Sequence, residues 1–151
     1  FCLEQLDRFV PESHAKTLLD VGTGSGILAI AAVRLGAEKA LGVDFDELCI
    51  EQSISNAAVN GVSDQTEFRP HDIHDGWPDE TFDMVCANIY SSLLIEHASV
   101  LLRITGEYLL LTGIREVEVD GVADTFVQLG GREVVRDCDG EWAGLVIATS
   151  T

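Results

Sequence analysis

The sequence predicts a doubly wound α/β fold, and three observations carry that reading. Strand-like and helix-like patterns alternate along the 151 residues, with no internal repeat, low-complexity tract or linker. A buried strand over 17–21 runs into a glycine-rich turn and then at once into an apolar helical pattern, and the next strand stops at an acidic residue, Asp44. The last two strand patterns flank a turn signal and read as an antiparallel hairpin on an otherwise parallel sheet. The whole chain, 1–151, reads as one domain, long enough to bury a proper core.

The elements follow in order. Leu3 to Phe9 reads as the end of a helix, with Pro11 just beyond it. Thr17–Val21 is the first strand. Ile27–Leu35 is a helix stopped by Gly36, and Lys39–Val43 is the second strand. The segment Asp46–Asn60 is helical, with Ile50, Ile54 and Ala57 on one face and Asn60-Gly61 ending it. Gln65–Arg69 is the third strand, followed by a loop from His71 to Pro78. Phe82–Ala87, nearly all apolar, is expected at the centre of the sheet. Leu94, Ala98, Leu101 and Leu102 mark one further helix, and Tyr108–Thr112 marks the fifth strand. Val119, Val122, Phe126 and Leu129 share a helical face that ends at Gly130-Gly131. Arg132–Cys138 and Trp142–Thr149 then flank Asp139-Gly140, which predicts a type I′ hairpin.

Composition narrows the function classes. Hydrophobic residues make up 46% of the chain and only three prolines occur, which argues against disorder. The formal net charge is −17, with Lys16 and Lys39 the only lysines. A field of that sign repels phosphate backbones, so no intrinsic nucleic-acid binding is expected, whereas a cationic substrate such as a lysine-rich protein tail would be attracted. Solubility or a salt-rich cytoplasm explains the acidity equally well. Cys2, Cys49, Cys86 and Cys138 contain no C-x-x-C and read as small core hydrophobes in a reducing compartment. With no long apolar run and no signal peptide ahead of the first strand, no membrane partner is expected, and the cytoplasm is the expected location.

The glycine spacing selects the ligand class. A dinucleotide turn reads G-x-G-x-x-G, but the third glycine would fall at Ile27. What stands here is D-x-G-x-G-x-G, from Asp20 through Gly22 and Gly24 to Gly26, and it resembles the first motif of class I S-adenosylmethionine (SAM) methyltransferases. Glycines at these positions let the chain turn sharply and let backbone approach a cofactor closely. Asp20 is expected to anchor the turn's amides or the cofactor's amino group from behind. Asp44 is placed to accept both ribose hydroxyls, the competing role being an N-cap for which Asp46 is better placed. Asp72, after the third strand, is a candidate acceptor for the adenine amino group or else an ordinary loop residue. Asn88 ends the fourth strand opposite the glycine turn, where its amide could aim a substrate amine at the methyl carbon. The alternative is a cap for the helix starting near Ser91 or Ser92, a task those serines can perform themselves. Thr23 and Phe45, beside Gly22 and Asp44, complete the candidate cofactor-binding residues. No metal is expected: His71, Asp72, His74 and Asp75 read as solvated loop residues, and His14 and His97 have no partner pattern.

Several pieces beyond the glycine turn carry a narrower resemblance. Asp20–Val33, Gly42-Val43-Asp44-Phe45-Asp46, Asn56 to Val62, Val85 to Ile89 with its Ala-Asn-Ile, Leu111-Thr112-Gly113-Ile114 and Gly140-Glu141-Trp142 together look like the PrmA family. Its members methylate a ribosomal large-subunit protein on lysine side chains and an N-terminal amine. The resemblance implies the Rossmann-like seven-stranded sheet of class I methyltransferases, with its last strand antiparallel. It also implies SAM as cofactor, a ribosomal protein as substrate, and Gly22, Asp44 and Asn88 as cofactor-contacting positions, with Asn88 beside the target amine. The implied step is an in-line displacement at the sulfonium methyl by a lysine that has first lost its proton. No Asp or Glu stands out as the general base, so positioning is expected to carry the catalysis.

Full-length relatives carry an N-terminal ferredoxin-like recognition domain and a G-T-G-x-H-x-T-T loop, both ahead of the segment at hand. Ile104-Thr105-Gly106-Glu107 replaces the usual Pro-Gly-Gly before the fifth strand. The chain is therefore expected to be a catalytic-domain fragment or a diverged relative. Two other readings stay open: a class I methyltransferase for another amine, a small molecule or a nucleic acid, and a SAM-binding module without turnover.

Overall fold

The computed structural model describes residues 1–77 and 79–149; Pro78, the last residue of the expected loop, and the final two residues lie outside them. Seven strands form one sheet: β1 (Thr17–Val21), β2 (Lys39–Asp44), β3 (Thr66–Pro70), β4 (Phe82–Asn88), β5 (Thr105–Arg115), β6 (Arg132–Asp139) and β7 (Trp142–Ala148). Their order is β3-β2-β1-β4-β5-β7-β6, with β4 in the middle as its apolar sequence required. Strands β1 to β5 pair in parallel, and β7 inserts antiparallel between β5 and β6. This is the expected doubly wound sheet with an antiparallel C-terminal hairpin.

Both sheet faces are covered, so neighbouring strand residues are buried in opposite layers. Leu18, Ala40, Met84, Cys86, Leu110 and Val146 pack with helices α1 (Cys2–Ser13) and α2 (Ile27–Arg34), and with Ala57 of α3 (Glu47–Val59). Leu19, Leu41, Val85, Leu109, Leu111 and Leu145 pack on the other side with α4 (Ser91–Glu96), α5 (Ala98–Ile104) and α6 (Val119–Gln128). Gly42 marks a point of tight packing under the glycine turn. A Cβ there would sit 2.6 Å from both Phe68 Cδ1 and Thr23 Oγ1. Gly42→Ala is accordingly expected to destabilise the fold by roughly 1–3 kcal/mol, measurable by urea denaturation.

The structure revises several local expectations. Helix α1 continues through Pro11 to Ser13, since Pro11 lies on the exposed side near the helix end, and it stops at His14, which is left-handed at φ 55°. The single helix expected around 94–102 is two, broken at His97, which ends α4 and starts α5. Neither Ser91 nor Ser92 caps α4: Tyr90 holds that position without a side-chain bond, and the Ser91 hydroxyl donates to Glu118 at 2.8 Å.

On α3 the buried positions are Ile50, Ser53 and Ala57, while Ile54 is exposed, because this face lies over the glycine turn and supplies it with a hydroxyl donor. The hairpin turn is Gly140-Glu141 rather than Asp139-Gly140, because Asp139 pairs with Trp142. Positive φ occurs at Gly140 only, the sign pattern of a type II′ turn rather than I′. Among the cysteines only Cys86 is buried; Cys138 is exposed, Cys2 and Cys49 are half-buried, and all four are free thiols. Among the described residues no helix is long and apolar enough to cross a membrane.

Candidate functional site

Strand register builds the site. Val21 is level with Val43 on one side and with Ala87 on the other, and Asn88 is level with Thr112. The residues that follow these pairs, Gly22, Asp44 and Asn88, therefore leave three adjacent strands at one height on the carboxyl edge, where the chain order switches sides. A cavity of about 1250 Å³ opens there, lined by Gly22, Asp44, Phe45, Asp72, Asn88 and further residues.

The glycine turn is held from two sides. Gly22 N and Thr23 N both donate to Val43 O at 2.9 Å, tying the turn to β2. Ser53 Oγ of α3 donates to Gly24 O at 2.8 Å, and Asn56 Nδ2 donates to Ser25 O at 2.8 Å. Gly22 has φ +73°, and a Cβ on it would lie 3.0 Å from Ile89 Cγ2, so only glycine leaves this wall of the cavity open.

Asp44 is half-buried on the cavity wall, and its carboxylate is already oriented. One oxygen accepts from Gly24 N at 3.0 Å and the other from Asp46 N at 3.0 Å. Each keeps lone-pair capacity toward the cavity. The helix cap falls to Asp46, whose Oδ1 accepts from Leu48 N at 2.9 Å. Asp72 lines the cavity at the start of a short 3-10 turn (Ile73–Asp75), and its Oδ1 accepts from His74 N at 2.9 Å and pairs with His74 Nδ1 at 2.7 Å. The His74 amide and imidazole together hold the Asp72 carboxyl below its ordinary range, and Asp72 in turn raises His74. Asn88 is not a helix cap. Its side chain stands at the sheet edge with Oδ1 3.2 Å from where a Cβ on Gly113 would lie.

Asp20, Thr23, Gly24 and Gly26 do not line the cavity; Asp20, Thr23 and Gly26 are buried behind it, and Gly24 is half-buried beside it. A Cβ on Gly26 would meet Ser53 at 3.0 Å, so this glycine serves helix packing. Asp20 is fully buried and accepts from Thr23 Oγ1 at 2.7 Å, while its Oδ1 is buried without a partner. Burial pushes its carboxyl up to about 6, against the opposing pull of the Thr23 hydroxyl and, more weakly, the Ala29 backbone N–H. The folded protein thus holds the Asp20 proton more tightly than the unfolded chain. Stability from this group is full below about pH 4 and is lost as pH rises through 6, a loss of about 3 kcal/mol by pH 7. Asp20→Asn, which keeps an acceptor for Thr23, is expected to remove that slope. Urea denaturation should find it more stable than wild type at pH 7, with the two converging below pH 4.

Sequence reasoning missed Thr112 and Gly113, which line the far wall with Ile89, and also the hairpin residues Asp137, Asp139 and Trp142. Gly113 was legible only as part of a motif. Its φ of +78° and the 2.7 Å approach of Ile89 O to a Cβ there explain why glycine is needed. Glu4, Asp44, Asp72, Asp137 and Asp139 all face this cavity, and among the described residues no lysine or arginine lines it. Nor do the loop residues His71, Asp72, His74 and Asp75 form a ligand set of their own. His74 instead approaches Glu96 and His97.

A seven-stranded sheet with this strand order, an aspartate-led glycine turn after β1 and an acidic end to β2 defines the class I methyltransferase fold. A family model described as ribosomal protein L11 methyltransferase (PrmA) matches residues 1–150, and the chain belongs to this family. The ribosomal protein L11 methyltransferase of Salmonella arizonae is 43% identical over 131 residues, which are 85% of this chain and 43% of that protein. The protein of the same name from Enterobacter sp. is 42% identical with the same coverage. Among solved structures, a ribosomal protein L11 methylase from Lactobacillus delbrueckii subsp. bulgaricus matches with a TM-score of 0.84 at 28% identity, covering 99% of this chain and 79% of that one. Magnesium protoporphyrin IX methyltransferase from Synechocystis with bound SAM shares the fold alone: TM-score 0.81 at 14% identity, over 98% of this chain and 78% of that one. The chain spans less than half the length of the curated relatives it matches.

Proposed function

We propose that residues 1–151 form a SAM-dependent N-methyltransferase domain that modifies amines of a ribosomal large-subunit protein, either lysine side chains or the N-terminal amine, in the cytoplasm. The observation that carries this reading is the convergence of Gly22, Asp44 and Asn88 on one cavity from three adjacent strands. The residues fit the cofactor. Gly22 leaves open the wall that a side chain would close, and Asp44 presents a pre-oriented carboxylate suited to a ribose diol. The free Oδ2 of Asp72 is available to an exocyclic amine, and exposed Phe45 beside Asp44 offers an apolar face. Asp20 and Thr23 act indirectly, by holding the turn.

Charge supports the same assignment. A cavity faced by five carboxylates and no lysine or arginine disfavours the pyrophosphate of a dinucleotide and favours a sulfonium with an ammonium group. It also disfavours nucleic acid as substrate and favours a lysine-bearing protein. SAM supplies an electrophilic methyl group. The chain's part is to place a neutral amine against that group. Asn88 Oδ1, at the open edge, accepts the amine's hydrogen and turns its lone pair inward, and the amine's surplus proton leaves to solvent through the mouth.

The test is methyl-tritiated SAM incubated with the chain and a lysine-containing ribosomal large-subunit protein, with RNA as the competing acceptor. Label in the protein, lost on prior acetylation of its amines, supports the proposal. Label in RNA, or cofactor binding with no transfer to the protein, overturns it.

A further inference from the structure

A second cluster lies at the cavity's edge, joined to the roles above only through the His74–Asp72 pair. His74, on the 3-10 turn after β3, meets Glu96 and His97 at the break between α4 and α5, and one ligand atom of each lies within 4.8 Å of the others. We propose that His74, Glu96 and His97 form a divalent transition-metal site, of the kind zinc fills, that ties the loop after β3 to the α4–α5 corner.

The donor set is the first argument. Two imidazoles and one carboxylate match zinc, which takes nitrogen and oxygen ligands from three protein residues and leaves a fourth position open to solvent. Magnesium and calcium, which prefer oxygen cages, do not suit it. Orientation is the second argument. His74 Nδ1 is engaged by Asp72 Oδ1 at 2.7 Å, which fixes the ring and leaves Nε2 as its coordinating atom. A carboxylate behind a histidine is the usual support of a metal ligand. His97 Nε2 is buried without a hydrogen-bond partner and stands 3.9 Å from Glu96 Oε1, a position that a metal ion would satisfy.

Reach is the third. The His74 and His97 rings meet edge to face with centroids 5.4 Å apart. Tetrahedral zinc sets its ligand atoms about 3.4 Å apart, so the cluster must contract. His97 is only 13% exposed, whereas Glu96 at 58% and the His74–Asp72 pair at 55% and 50% lie on the open side, so Glu96 swings in and the pair shifts as a unit with its hydrogen bond kept. Because Asp72, Ile73 and His74 also line the large cavity, the ion would brace that wall. The site does not depend on the cavity's ligand being SAM.

The experiment is Zn²⁺ titration of the untagged chain by calorimetry in excess Mg²⁺, which occupies nonspecific acidic positions, with Co²⁺ as a spectroscopic probe. Wild type should bind one Zn²⁺ per chain with a raised thermal midpoint, and Co²⁺ should give four-coordinate d–d bands without thiolate charge transfer. Glu96→Gln and His74→Ala change exposed side chains and should leave the circular dichroism unaltered. Each should weaken Zn²⁺ binding at least about tenfold and reduce the thermal shift accordingly. Zn²⁺ binding unchanged in either variant, a thiolate band, or no binding in Mg²⁺ would overturn the proposal.

Discussion

Replacing Asp44 by alanine is expected to abolish measurable binding of SAM and of S-adenosylhomocysteine. Two losses combine. The carboxylate proposed to accept the ribose hydroxyls disappears, and hydrogen bonds to a charged acceptor contribute about 1.5–3 kcal/mol each. The same substitution frees Gly24 N and Asp46 N, which Asp44 holds at 3.0 Å each, so the turn and the start of α3 lose their tie. Together these predict a weakening of at least about a hundredfold. Asp44→Asn separates the two effects, since it retains an acceptor for one amide but not the charge, and its affinity should fall between wild type and alanine. Calorimetry on folded variants decides it, and equal affinity in wild type and Asp44→Ala would sink the ribose assignment.

Asn88→Ala should behave in the opposite way. The side chain stands at the exposed end of β4, over Gly113 and away from the turn's anchoring bonds, so the cofactor wall built by Gly22 and Asp44 survives its removal. S-adenosylhomocysteine affinity should stay within about threefold of wild type. Methyl transfer should fall roughly a hundredfold, the scale expected when a reacting group loses its positioning partner. The informative split lies between kcat and cofactor affinity: unchanged turnover would remove Asn88 from the amine site, and a matching collapse of cofactor binding would make it a structural residue.

How much of this was legible in the sequence depended on whether a feature was local. The first two strands, the glycine turn and Asp44 could be read because turn chemistry and strand ends are written in adjacent residues. The antiparallel hairpin was legible too, but its turn was misplaced by one residue, since Asp-Gly satisfies two registers and only the pairing of Asp139 with Trp142 chooses between them. The break at His97 was invisible because Leu94, Ala98 and Leu101 keep helical spacing across it. Strand β5 runs from Thr105 to Arg115, well past the expected Tyr108–Thr112, because Gly113 sits in an irregularity of the pairing with β7 rather than at the strand's end.

The candidate site divides in the same way. Gly22, Asp44, Phe45, Asp72 and Asn88 fall on the cavity wall because each ends or follows a strand. Asp20, Thr23 and Gly26 share the motif but are buried behind the wall, and half-buried Gly24 lies off it; no spacing rule separates the wall from its support. The approach of His74 to Glu96 and His97 joins residues far apart in the chain, at the helix break that the sequence did not reveal.

The central claim is that the cavity at Gly22, Asp44 and Asn88 takes SAM. Calorimetric titration with S-adenosylhomocysteine, using NAD as the control ligand, tests it most directly. The account predicts saturable micromolar binding of the first, with one site per chain, and no heat from the second. Binding of NAD, or no binding of S-adenosylhomocysteine to the folded chain, would contradict it.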